Sequence, residues 1–253
     1  DGCPFRCTYC SVPQVDPKFV PRPLERAHAE LDLLCKLGAE NIAFYDDALL
    51  FRAESLLVPF LRKALEKNLH IHFHTPNALN ARFITKDLAR LMVQAGFKTF
   101  FLGFESKAYQ WQRRTGGKVY SDEFVRAVET LMGAGADPNS ITAYLIIGHP
   151  LGNHQEVEAS MNFVHGLGIR VMLSEFSPIP NTPDGDACGE WIDLNEPLWS
   201  NKTVFPILSL GAPEVDRVKD LCLRLNKKQK TGTDLKMPVV SSVNHPERTF
   251  VFK

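Results

Sequence analysis

The sequence predicts an α/β protein whose parallel strands and covering helices wind into a partial (β/α)6 barrel, with a short helical tail at the C-terminus. Three observations carry this. Short apolar runs alternate with amphipathic segments along most of the chain, an order that favours a parallel sheet covered by helices. Polar or special residues gather at or just after the C-terminal end of each run, the rim where β/α barrels keep their active sites. Right-handed crossovers between such units curl the sheet towards an open or closed barrel.

The elements follow in order. Residues 22–37 carry Leu24, Ala27, Leu31, Leu34 and Leu37 at helical spacing, and Gly38 offers a stop. The run 41–45 reads as a strand ending in Asp46-Asp47. Residues 53–68 form a helix with Leu57, Leu61, Ala64 and Leu65 inward. The run 70–74 (HIHFH) alternates with period two and stops at Thr75-Pro76, as a strand does. Residues 85–95 form a helix with a Thr85 cap and a Gly96 stop. The apolar run 98–104 is a strand ending at Glu105-Ser106. Residues 121–134 form a helix capped by Ser121. The run 140–147 is a strand ending in Gly148-His149-Pro150, and residues 154–167 form a helix with Val157, Met161, Val164 and Leu167 on one face. The run 170–176 is the last strand, ending in Ser177-Pro178. The pattern then breaks into Pro, Gly, Asp and Asn up to about residue 197, and residues 213–228 form one more helix. These are five strands. A strand running into Cys3 would complete a sixth unit, so the chain reads as a piece of a longer protein: a barrel core over 1–190, an extension over 191–253, and a further domain upstream.

Composition narrows the function. At 253 residues, 44% hydrophobic and 23% charged, the chain is ordinary for a globular protein. No apolar run approaches the length of a membrane helix, and no signal-peptide pattern opens the chain. Lys plus Arg and Asp plus Glu both number 29, which argues against a broad basic face for nucleic acid. The basic stretch 223–230 reads as the solvated end of a helix. Three of the six cysteines fall in the first ten residues, which points to metal or redox chemistry in a reducing, cytoplasmic compartment. Cys35, Cys188 and Cys222 stand alone. Cys188, in a Pro- and Gly-rich loop that could cover a pocket mouth, is readable either as a reactive thiol or as an ordinary one.

Cys3-Pro-Phe-Arg-Cys7-Thr-Tyr-Cys10 has a C-x3-C-x2-C spacing. An iron–sulfur cubane takes four cysteines when closed, so three leave one iron open to an outside ligand. The alternative is a structural zinc site, which needs four ligands and would recruit Cys35 or His28. His70, His72 and His74 resemble a metal site, but in a strand the first and third stand about 13 Å apart, too far for one ion. They read instead as polar groups lining the barrel interior, with His74 and Asn77 nearest the rim.

With Tyr9 just before the last cysteine, this motif resembles the signature of radical S-adenosylmethionine (SAM) enzymes. The resemblance extends over roughly residues 1–185, through FYDDALL, HFHTPNAL, FLGFES, YLIIGHP and EFSPIPNTP, and is closest to members that carry an N-terminal cobalamin-binding domain. It implies a partial TIM-like barrel with a [4Fe–4S] cluster on Cys3, Cys7 and Cys10 and SAM on the open iron. It also implies an organic substrate, a low-potential electron donor such as flavodoxin or ferredoxin, and cobalamin if an upstream domain supplies it. Methyl transfer is one reaction open to such an enzyme; a tRNA-modifying enzyme is the alternative class.

For the rim residues the resemblance implies SAM contacts, each beside a plainer reading. Asp46 or Asp47 would hold the SAM amine, or serve an Asx turn and a helix cap. Glu105 would accept from ribose hydroxyls or the amine, or pair with a neighbouring cation; a carboxylate after so apolar a run needs a partner. Arg113 or Arg114 would clamp the methionine carboxylate, or be solvated. Gly148 and Pro150 would flank the adenine, or make a plain turn. Tyr9 would offer its backbone to the adenine edge. Asn77 and Ser177 complete the expected contacts.

Overall fold

The computed structural model describes residues 1–231. After α1 (Val12–Val15) come α2 (Leu24–Lys36), β1 (Asn41–Ala43), α3 (Leu57–Glu66), β2 (His72–His74), α4 (Lys86–Gln94) and β3 (Phe100–Glu105). Then follow α5 (Tyr109–Arg114), α6 (Ser121–Gly133), β4 (Ile141–Ile147), α7 (His154–Gly166) and β5 (Arg170–Glu175). The chain continues with α8 (Pro183–Cys188), α9 (Val204–Leu210) and α10 (Ala212–Thr231).

All strand pairs are parallel. β1 pairs with β2, and β3, β4 and β5 pair in that order. The two sheets are joined by parallel bridges, Phe73 with Phe97 and Leu79 with Leu102. Thr75 reinforces the seam: its hydroxyl donates to Thr99 O (3.0 Å) and accepts from Phe101 N (3.2 Å). The strands thus follow one another in chain order, as a partial barrel requires.

Alternation along the strands divides two faces. On the outer one, Phe73, Phe100, Leu102, Phe104, Ala143, Leu145 and Val171 are buried. They join the inward stripes of α3, α4, α6 and α7, including Leu61, Met92, Phe124 and Met161, in one core. Phe104 stacks on Phe124 with ring centroids 4.2 Å apart. On the inner face, Phe101, Tyr144 and Ile146 are half-buried and His72, Met172 and Ser174 are exposed. This face is accessible and mixes aromatic and aliphatic side chains with polar ones.

Several elements differ from their prediction for local reasons. The helix expected from residue 53 is broken at Leu56 (φ −122°, ψ −71°), with a 3-10 turn before it. The Thr85 cap is present, accepting from Leu88 N at 3.2 Å. α6, by contrast, is not capped by Ser121: the Glu123 carboxylate reaches back to Tyr120 N at 2.8 Å, and a carboxylate makes the stronger acceptor. The stretch after β5 contains α8, whose start is Thr182, accepting from Gly185 N at 3.1 Å, followed by Pro183 at the first helical position. The expected boundary at 190 falls inside continuous packing: α10 brings Val218, Cys222 and Leu225 into the main core. The rest of the expected extension, 232–253, lies outside the described residues.

Candidate functional site

The cysteine loop lies at the C-terminal ends of the strands. Its base is closed by Asp1 and Val20, which exchange backbone hydrogen bonds of 3.1 and 3.0 Å. Phe5 anchors it between Phe51 and Phe83 (ring centroids 6.0 and 5.7 Å). On the other side Thr8 N donates to Thr115 O at 3.3 Å. Gly116 (φ 106°) permits this approach: a Cβ there would stand 2.8 Å from Arg6 O and 3.2 Å from Cys7 Cα. The loop is therefore clasped by the segment that follows α5.

The three cysteines are free thiols. Burial pushes Cys7 up to about 11, opposed by the ammonium of Lys118. Burial also raises Cys3, and the charges of Cys10 and Asp47 add to it. Lys118 thus lies within charge–charge range of all three thiols, and Asp47 within range of Cys3. Among the described residues no three His, Cys, Asp or Glu side chains converge as they would on a single ion. His28 is instead stacked on Phe60 at 5.1 Å, and Cys35 packs against the core. A closed zinc site needs a fourth ligand, which neither His28 nor Cys35 supplies from these positions, whereas three thiols can each bind a different iron of a cluster.

Glu105 is buried at the end of β3, beside a register shift between β3 and β4. Its backbone is left-handed (φ 66°), an unfavourable conformation for a glutamate that turns the side chain into the rim. There it meets Lys118 Nζ at 2.9 Å. Burial alone would lower Lys118, but Glu105 and then Cys7 outweigh it and hold the amine above its ordinary value. The expected ion-pair partner of Glu105 exists, and it also faces the cysteines.

Arg113 and Arg114 end the short helix α5 with exposed side chains, so neither is the cation that meets Glu105. Lys118, which the sequence reading missed, is. Its one local signal is Gly116-Gly117 before it, a break that lets the chain turn back to the rim. Asp47 is half-buried and acts on Cys3, whereas Asp46 is exposed; neither caps the following helices. Both line a cleft of about 400 Å³ on the flank of β1, shared with Phe44, Phe60 and Leu31. Asn77 donates to Tyr45 O at 2.9 Å. His74 bonds Thr99 Oγ1 (3.2 Å) and Asn41 Oδ1 (3.0 Å), while His70 and His72 are exposed.

Gly148 has φ 82°, and the place of its missing Cβ is taken by Pro206, 2.7 Å away at Cα. Contact with α9 explains this glycine. Pro150 is exposed and Ser177 half-buried, while His149 between the glycine and proline is buried. The Tyr9 ring sits 5.8 Å from Trp111 and 6.2 Å from His149. Cys188 is fully buried, donates to Asp184 O at 3.2 Å, and is pushed up to about 11 by burial, the profile of an inert thiol. No described helix is long and apolar enough to cross a membrane.

Comparison with known proteins gives the family and the fold. The sequence model of the radical SAM superfamily matches residues 1–164. Among solved structures, the chain is similar to the radical SAM methyltransferase TsrM from Kitasatospora setae, solved with its tryptophan substrate and a SAM analogue. The TM-score is 0.63 at 18% identity, over 75% of this chain and 37% of that one. It is similar to coproporphyrinogen III oxidase HemN from Escherichia coli, with a TM-score of 0.55 at 15% identity over 81% and 50%. It is also similar to the cobalamin-dependent SAM radical enzyme OxsB, with a TM-score of 0.52 at 15% identity over 90% and 35%. At such identities the likeness is one of fold, and the chain spans only 35% to 50% of the length of the latter two.

Proposed function

Since the chain belongs to the radical SAM superfamily, we propose that it is the catalytic core of an enzyme that binds one [4Fe–4S] cluster through Cys3, Cys7 and Cys10 and uses SAM to modify an organic substrate. The observation that carries this reading is the three-thiol loop at the strand ends, facing the buried Lys118–Glu105 pair. When bound, the cluster supplies the electron that cleaves SAM to methionine and a 5′-deoxyadenosyl radical.

The chain's own groups divide the remaining work. Lys118 would meet the methionine carboxylate, a role the resemblance implied for Arg113 or Arg114. Glu105 and Asp47 are acceptors for an ammonium or for hydroxyls. Tyr9, Asn77, Pro150 and Ser177 are the proposed contacts for the adenosine, whereas Gly148 is packed against Pro206. The inner face, where the Phe101 and Tyr144 rings lie tilted with centroids 5.3 Å apart near Ile146 and Met172, offers apolar side chains to an organic substrate. A low-potential flavodoxin or ferredoxin is the proposed donor. Methyl transfer through cobalamin would rest on a domain outside this chain; TsrM, a methyltransferase, and OxsB, cobalamin-dependent, motivate it.

The test is anaerobic reconstitution of the full-length protein with iron and sulfide, reduction with dithionite, and chromatography for 5′-deoxyadenosine after SAM is added. The reading expects four irons per chain, about the content of one cubane, and 5′-deoxyadenosine that disappears in Cys7→Ala. Iron binding without SAM cleavage, or a tightly held zinc, would overturn it.

A further inference from the structure

Resting on the cluster reading above, we propose that Asp184 is a positioning residue that fixes the cysteine loop from the far end of the sheet, with His149 behind it. Thr8 stands between Cys7 and Tyr9. Its hydroxyl donates to Asp184 Oδ2 at 2.5 Å, and its carbonyl accepts from Asp184 N at 3.1 Å. The two residues are 176 positions apart, so this double contact ties the first rim loop to the last one.

The same carboxylate oxygen receives His149 Nε2 at 2.9 Å. The other ring nitrogen, Nδ1, accepts from Trp111 Nε1 (3.2 Å) and from Leu151 N (3.1 Å). Two donors on Nδ1 leave the proton on Nε2, so the histidine is neutral and donates to Asp184. Asp184 and His149 are both buried, and Tyr9, Phe176 and Cys188 lie against them. The aspartate cannot rotate away without leaving buried donors unpaired. Segments following β3, β4 and β5 thus converge, through Trp111, His149 and Asp184, on one residue of the cysteine loop. Such outer-shell partners set ligand orientation at metal centres.

Isosteric changes at Thr8 isolate the bond. Thr8→Val keeps shape and branching but removes the hydroxyl; Thr8→Ser keeps the hydroxyl. In the metal-free full-length protein, hydrogen exchange over residues 7–10 should accelerate about tenfold or more in Thr8→Val and Asp184→Ala, and stay near wild type in Thr8→Ser. After reconstitution, loss of the cluster's visible absorbance to a chelator should quicken by about ten- to a hundredfold in the same two variants. The double variant should be no worse than Asp184→Ala, because Thr8→Val removes only a bond that Asp184→Ala already removes. EPR of the reduced protein, with and without SAM, reads the cluster's surroundings directly and should change in Thr8→Val but not in Thr8→Ser. If wild type takes up no cluster, the functional reading fails, while hydrogen exchange still judges the clamp. If wild type holds a cluster and Thr8→Val exchanges and retains it like wild type, the functional reading stands and the positioning role is refuted.

Discussion

Removing Lys118 should destabilise the metal-free protein far more than removing it together with the charge of Glu105. The pair is 2.9 Å apart, with side chains 18% and 8% exposed. At an effective dielectric near 20, two unit charges at that separation attract by about 6 kcal/mol. Desolvation of both groups offsets most of this, so the intact pair contributes little net stability. Lys118→Met breaks the balance: it leaves the buried Glu105 carboxyl without its cation, a loss that costs about 3–5 kcal/mol. For a chain of this size each kcal/mol moves the melting temperature by about 2–4 °C, so the variant should melt about 6–20 °C below wild type. Lys118→Met with Glu105→Gln removes both charges and should recover most of that loss. Differential scanning calorimetry at neutral pH measures all three. A single variant melting within about 2 °C of wild type, or a double variant no better than the single, would refute the claim that this pair is buried and interdependent.

Further outcomes are expected. Gly148→Ala should destabilise by about 1–3 kcal/mol, because its φ of 82° disfavours a side chain and Pro206 fills the space; chemical denaturation reads the loss. Phe104→Ala, which deletes a fully buried ring stacked on Phe124, should cost about 3–5 kcal/mol in the same assay. Cys188 should resist iodoacetamide in the native protein at pH 8, since its thiol is buried and pushed up to about 11; prompt labelling of Cys188 in a peptide map would contradict its placement. Burial alone would raise Asp184, but hydrogen bonds from His149 and Thr8 outweigh it and depress it below 3.8. A depressed carboxyl adds stability above its unfolded value and loses it as pH falls through the folded one. The melting difference between wild type and Asp184→Asn should therefore be full near neutrality and vanish in strong acid.

The alternation of helices and strands was legible because period-two and helical spacings are local, and the outer core residues from Phe100 to Val171 obey them. The cysteine spacing was equally local. What escaped the sequence depends on distance. Lys118 matters because a long side chain reaches back from beyond Gly116-Gly117 to Glu105. Arg113 and Arg114 lie nearer in sequence but sit on the exposed end of α5. Asp184 was invisible because its partner, Thr8, lies at the other end of the chain. Gly148 was read as room for a ligand; the space at its Cβ belongs to Pro206, which no local pattern announces. The start of α8 does have a local signature, Thr182 followed by Pro183.

The packing of α9 and α10 decides where this protein can be cut. Phe205 is wholly buried, against Phe176 at 5.3 Å, and Asn226 bonds both to Val171 N (2.9 Å) and to Val171 O (2.8 Å) along the outer edge of β5. A gene fragment stopped at residue 190 would strip that edge and lay bare an unsatisfied strand, a template for self-association. Recombinant versions and domain grafts should therefore carry the chain through at least residue 229, whose side chain still bonds Gly168 O.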